Sequence, residues 1–166
     1  GVRLLSDGDL QAAEQVLRQA LGAKLVSSTK EVPKLVRQSR QRETEDKNAT
    51  IRLYLARVYL EGGQPDLAEK EVVAAQQILD VRQEASYKRW LTRTTARIEI
   101  LRGEYEPAFK RLNKSLLVKD ESDSTEGYLL LAIAARALGK EQVLDEAMAA
   151  AEEKGADVRL LAGNNP

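Results

Sequence analysis

Apolar side chains recur three and four residues apart along most of the 166-residue chain. That is the spacing of one face of a helix, and no segment alternates with period two for long enough to make a strand. Four stretches share one pattern. Gly8, Gly63, Gly103 and Gly139 are each followed five residues on by Ala13, Ala68, Ala108 or Leu144. Leu17, Val72, Leu112 and Met148 come one helical turn later, and Ala20, Ala75, Ser115 and Ala151 three residues after that, on the same face. An apolar helical run precedes the last three glycines. Glycine suits the reversal between two antiparallel helices, because the left-handed conformation that ends a helix costs it least. Pro65 and Pro107 stand where the first turn of the next helix tolerates proline. The alanine five places after the first three glycines lets the paired helices approach closely.

This pattern predicts helices at Val2–Ser6, Asp9–Leu25, Pro33–Asp46, Ala49–Glu61, Pro65–Leu79, Arg82–Leu101, Tyr105–Val118, Ser124–Leu138, Glu141–Lys154 and Asp157–Leu161. The helix begun at Pro33 either ends at Asp46 or runs on into the one after it. Ser122 or Asp123 is a candidate N-cap. The expected fold is all-α.

The repeat resembles the tetratricopeptide (TPR) family. Gly103, Tyr105, Ala108, Leu112 and Ser115 fall on that family's Gly-x-Tyr-x-x-Ala-x-x-x-Phe-x-x-Ala signature, with substitutions at the last two. Gly8, Leu10, Ala13, Leu17 and Ala20 follow it with leucine at both aromatic places. Residues 49–80 make the fullest repeat, with Leu55, Ala56 and Tyr59 at first-helix positions ahead of Gly63, Ala68 and Ala75. The resemblance implies an α-solenoid of antiparallel helix hairpins in a right-handed superhelix, with about three complete repeats and one partial. It covers residues 1–166 as one domain, apart from an inserted charged helical segment at 27–48. The glycines lie 55, 40 and 36 residues apart, against a family period of about 34. The last step fits, the middle one is longer, and the first contains the insertion. Only Val2–Leu5 precedes Gly8, so the chain is expected to be a piece of a longer protein.

Composition narrows the chemistry. There are 26 basic and 26 acidic residues, no histidine and no cysteine. Disulfides, thiolate zinc sites, cysteine nucleophiles and histidine bases are therefore absent. The remaining carboxylate pairs, Glu69/Glu71, Glu121/Asp123 and Glu152/Glu153, sit in charge-rich segments and read as solvated faces. No phosphate-binding glycine loop or EF-hand is present. The chain is expected to be no enzyme and to carry no cofactor or metal. Zero net charge gives no global pull toward nucleic acid or membrane. No apolar run is long enough to cross a bilayer. The cytoplasm is the expected compartment, with the periplasm left open, and the sequence has a bacterial look.

In the TPR family the first helices of successive hairpins line a concave groove. The resemblance places Thr50, Leu53, Tyr54, Arg57 and Glu61 there, then Trp90, Arg93, Thr94 and Arg97, then Glu126, Leu129, Leu130 and Ile133. Arg57, Arg93 and Arg97 would share one surface, with Tyr54 and Trp90 near them. Guanidinium forks beside aromatic faces suit a peptide carrying Asp or Glu next to an apolar anchor. A plainer alternative makes Tyr54 and Trp90 packing residues and the arginines solvating ones. The register near Trp90 is open: one choice buries Thr92, Thr95, Ala96 and Glu99, and a slip of one residue buries Leu91, Ile98 and Leu101. The family's best-known pocket uses Lys and Asn, which these positions lack, so a chaperone co-factor role is not expected. Arg37–Arg42 reads as a solvated helix face. The expected function is a protein–protein interaction scaffold or adaptor that holds a partner's peptide or helix. The alternative is a self-assembly or regulatory segment of a larger protein, forming a homo-oligomer. Nucleic acid and membrane insertion are not expected.

Overall fold

The computed structural model describes residues 10–22, 34–79, 85–116 and 125–156. The described residues form seven helices and no strand. They are α1 (Leu10–Gly22), α2 (Lys34–Glu61), α3 (Pro65–Leu79), α4 (Ala85–Leu101), α5 (Tyr105–Leu116), α6 (Thr125–Ala137) and α7 (Glu141–Glu153). The expected helices at Val2–Ser6 and Asp157–Leu161, the caps Ser122 and Asp123, Gly8 and the side chains of Arg37–Arg42 lie outside the described residues.

The expected boundaries agree with the observed ones to within a few residues. Of the two readings left open after Asp46, the run-on one holds: the segments read as Pro33–Asp46 and Ala49–Glu61 belong to the single α2, Lys34–Glu61. No glycine or proline interrupts Lys34–Glu61. Lys47 and Asn48 supply no break, and Lys47 Nζ reaches back one turn to Glu43 Oε1 at 2.6 Å.

Three bends repeat one geometry. Gly63, Gly103 and Gly139 have φ of 66°, 77° and 66°. Just beyond each, the amides of Gln64, Glu104 and Lys140 donate to the carbonyls of Tyr59, Glu99 and Ala135 at 2.8, 2.8 and 2.9 Å. This is the six-to-one bond of a Schellman motif, which closes the helix end that glycine permits. The next helix begins two residues after each glycine, at Pro65, Tyr105 and Glu141. A fourth bend of the same kind ends α7 at Gly155, where Ala156 donates to Ala151 at 2.9 Å.

The chain divides into two compact units, residues 1–87 and 88–166. In the first, α2 packs against both α1 and α3. The C-terminal half of α2 is accordingly buried on more than one side, at Ala49, Leu53, Leu55, Ala56, Val58, Tyr59 and Leu60. Ala13 and Leu17 of α1 and Ala68, Val72 and Ala75 of α3 meet it at the positions the repeat marks, whereas Ala20 is exposed. Across the α2–α3 hairpin Arg52 Nη1 donates to Glu71 Oε2 at 2.7 Å.

In the second unit α6 packs against α5 and α7. One core joins Ala96 of α4, Ala108, Phe109 and Leu112 of α5, Leu130, Leu131 and Ala134 of α6, and Ala147 of α7. The α4 register combines features of both expected ones. Ala96, Ile98 and Glu99 are buried, while Leu101 is exposed. Glu99 can turn inward because Arg111 of α5 meets its carboxylate with three hydrogen bonds, at 2.6, 3.1 and 3.2 Å.

Candidate functional site

The second unit brings together charged groups from two first helices of successive hairpins. Arg93 and Arg97 stand one turn apart on α4, so both guanidinia leave the same face of that helix. Glu126 is the second residue of α6, in its first turn, where a carboxylate also meets the positive end of the helix dipole. Arg93 Nε lies 3.8 Å from Glu126 Oε2, and Arg97 Nη1 lies 3.8 Å from Glu126 Oε1. The two guanidinia thus address the two oxygens of one carboxylate. Both distances exceed hydrogen-bond length. Arg93 Nε is buried and has no hydrogen-bond partner. The arginine side chains are 22% and 25% exposed, and that of Glu126 is 53% exposed. The acid is therefore the loosely held member of the cluster.

Trp90 lies one turn before Thr94, whose hydroxyl donates to the Trp90 carbonyl at 2.9 Å. Trp90 is half-buried and Thr94 is buried. Leu129 is half-buried, and Ile133 borders a small cavity of about 110 Å³ with Ala132, Arg136, Leu144 and Met148. Leu130 is buried in the core.

In the first unit Tyr54 is half-buried and Arg57 is exposed, its Nε 4.0 Å from Glu61 Oε1 on the same helix. Leu53 is fully buried. The cause matches that at Leu130. Each lies on a helix enclosed by two neighbours, so an apolar side chain there finds a core instead of solvent. Thr50 and Tyr87 share a hydrogen bond between their hydroxyls at 3.1 Å.

A second cluster was not singled out by the sequence. Arg18 donates to Glu14 Oε1 at 2.8 Å and to the Tyr59 hydroxyl, which itself donates to Glu14 Oε1 at 2.9 Å. The ring of bonds ties α1 to α2 beside an open cleft of about 410 Å³ lined by Leu10, Gln11, Glu14, Val58, Tyr59 and Gly62. The Arg18 and Tyr59 bonds hold the Glu14 carboxyl below its usual range. Burial, then the bond to Glu14, pushes the Tyr59 phenol up. The visible signal was the Glu14/Arg18 spacing of four; the reach to Tyr59 needs the fold. Every member of this ring is satisfied by another, so it reads as a clasp between helices.

Comparison with protein-family models, with curated proteins and with solved structures found no match to this chain.

Proposed function

We propose that this chain is a protein–protein interaction module of TPR-like helical hairpins, which holds an acidic segment of a partner protein on the α4–α6 face of its second unit. The observation that carries the reading is the convergence of Arg93 and Arg97 on one carboxylate between α4 and α6. A pair of guanidinia on a fixed helix face recognises a carboxylate with directed, charge-assisted hydrogen bonds. Half-buried Trp90 and Leu129 on the same two helices supply the apolar contact that such a peptide's anchor needs. Repetition of the hairpin bend at Gly63, Gly103 and Gly139 supports a solenoid origin for that face. No catalytic role and no cofactor belong to this reading.

Trp90 is the only tryptophan of the chain, so its emission reports on this face directly. Titration with a Glu-Glu-Leu-Glu-Glu peptide is expected to change Trp90 emission saturably, and the Lys-Lys-Leu-Lys-Lys counterpart to leave it unchanged. Arg93→Ala with Arg97→Ala should abolish the response. A response to both peptides, or one that survives loss of both arginines, refutes the proposal. Self-association is the competing reading, and light scattering over a dilution series tests it.

A further inference from the structure

We infer that Glu126 is a resident competitor for the proposed acidic ligand: its carboxylate occupies the Arg93–Arg97 pair in the free protein and is displaced when a partner's carboxylate arrives. The inference rests on the reading of this face as an acidic-peptide site, and it adds how that site is regulated.

Three features of the cluster carry it. The first is distance. A guanidinium–carboxylate pair built for stability closes to hydrogen-bond length, as Glu99 and Arg111 do at 2.6 Å in the same unit. Glu126 stays 3.8 Å from both arginines. The second is the state of one donor. Arg93 Nε is buried and makes no hydrogen bond. A buried donor left without an acceptor is held at a free-energy penalty, and a ligand oxygen that reaches it recovers that penalty. The third is exposure. The Glu126 side chain is 53% exposed against 22% for Arg93, so the acid is the group free to swing out. Release of Glu126 returns it to water, where a carboxylate is well solvated. The partner's carboxylate then takes the place between the two forks.

The consequence is selectivity by competition. A weakly acidic or neutral segment does not displace Glu126. A segment with adjacent carboxylates does, because it brings more than one carboxylate, and so more negative charge than Glu126, to the arginines. Neutralising Glu126 removes both the competitor and a like charge next to the ligand. With the charges about 4–6 Å apart and partly solvated, this should tighten binding of an acidic peptide roughly fivefold to tenfold.

The test uses the whole chain and the fluorescein-labelled Glu-Glu-Leu-Glu-Glu peptide, read by anisotropy. Glu126→Gln should bind about fivefold to tenfold more tightly than the natural chain. The gain should vanish when Arg93→Ala is added, because the competitor acts only through its arginine partner. Glu146→Gln on α7 makes the same change in net charge; Glu146 Oε1 accepts a hydrogen bond from Gln142 Nε2 at 3.0 Å. This variant should bind within about twofold of the natural chain. Equal affinity of Glu126→Gln and the natural chain, with both lost on Arg93→Ala, overturns the competitor and leaves the peptide site standing. An equal gain from Glu146→Gln overturns it as a general charge effect. Absence of binding by every variant, Glu126→Gln included, removes the peptide site and the competitor together.

Discussion

Glu99 shows how a single polar residue can sit in a helical core. It is 8% exposed, and three hydrogen bonds from Arg111 answer its carboxylate. Removing one partner of such a pair strands the other. For Arg111→Ala the expected loss is about 2 kcal/mol, below the roughly 3–5 kcal/mol of fully buried pairs, because 41% of the Arg111 side chain meets water. Urea unfolding followed by circular dichroism measures it, and the Glu99→Leu/Arg111→Leu pair should recover most of the loss. Tyr59 gives a second prediction at this scale. Its phenol is raised above the ordinary 10.0 by burial and by the Glu14 bond, so the folded state favours the protonated form. That contribution is complete below pH 10.0 and is lost as pH rises through the higher folded value. Tyr59→Phe should therefore cost about 1 kcal/mol at pH 7, and its deficit against the natural chain should shrink above pH 10. Glu14 runs the other way. Its lowered carboxyl adds stability above 4.5 that is lost as pH falls through the folded value. At the residue scale the sequence allowed only part of this reading. A polar Glu99 inside a core stripe was visible; its partner Arg111 was not, because their pairing crosses a hairpin.

Among the elements, the helical hairpins were the most legible feature, because glycine carries the bend and the apolar spacing carries the packing. Gly63, Gly103 and Gly139 share left-handed φ and the same closing bond. Gly62 stands next to one of these bends and makes a useful contrast. A Cβ there would meet the Tyr59 and Val58 carbonyls at 3.6 Å and Leu10 Cδ1 at 3.9 Å, ordinary contact. At Gly63 there is open space, but φ is +66°. Gly63→Ala should therefore destabilise by about 1–2 kcal/mol through backbone strain alone. Gly62→Ala should be neutral or stabilising by a few tenths of a kcal/mol, since it only narrows the unfolded ensemble. Thermal melts of the two variants check the pair, and equal losses would contradict the assignment of strain to Gly63. What the pattern could not resolve was where a helix continues without punctuation, as α2 does through Lys47 and Asn48. It also could not resolve which apolar residues a doubly flanked helix turns inward. Leu53 and Leu130 share the helical stripe expected of a binding face, yet both are enclosed by neighbouring helices.

For the whole molecule, basic and acidic residues balance at 26 each, so no global field steers a partner toward the chain. If the chain holds an acidic peptide as proposed, selection depends on the Arg93–Arg97 pair, whose side chains are 22% and 25% exposed. Charges so placed are screened by salt less than those in open solvent. Raising NaCl from about 0.05 to 0.5 M should weaken the Glu-Glu-Leu-Glu-Glu complex by less than roughly tenfold, since few ions are released when two arginines meet one carboxylate cluster. A nucleic-acid ligand behaves differently. Neutralising six or more phosphates makes affinity fall by orders of magnitude over a smaller change in salt. Anisotropy titrations of the peptide and of a labelled DNA duplex at several salt concentrations distinguish these regimes. Tight duplex binding that collapses with salt, alongside a peptide that does not bind, would assign the arginine face to phosphates and reverse the choice of partner made above.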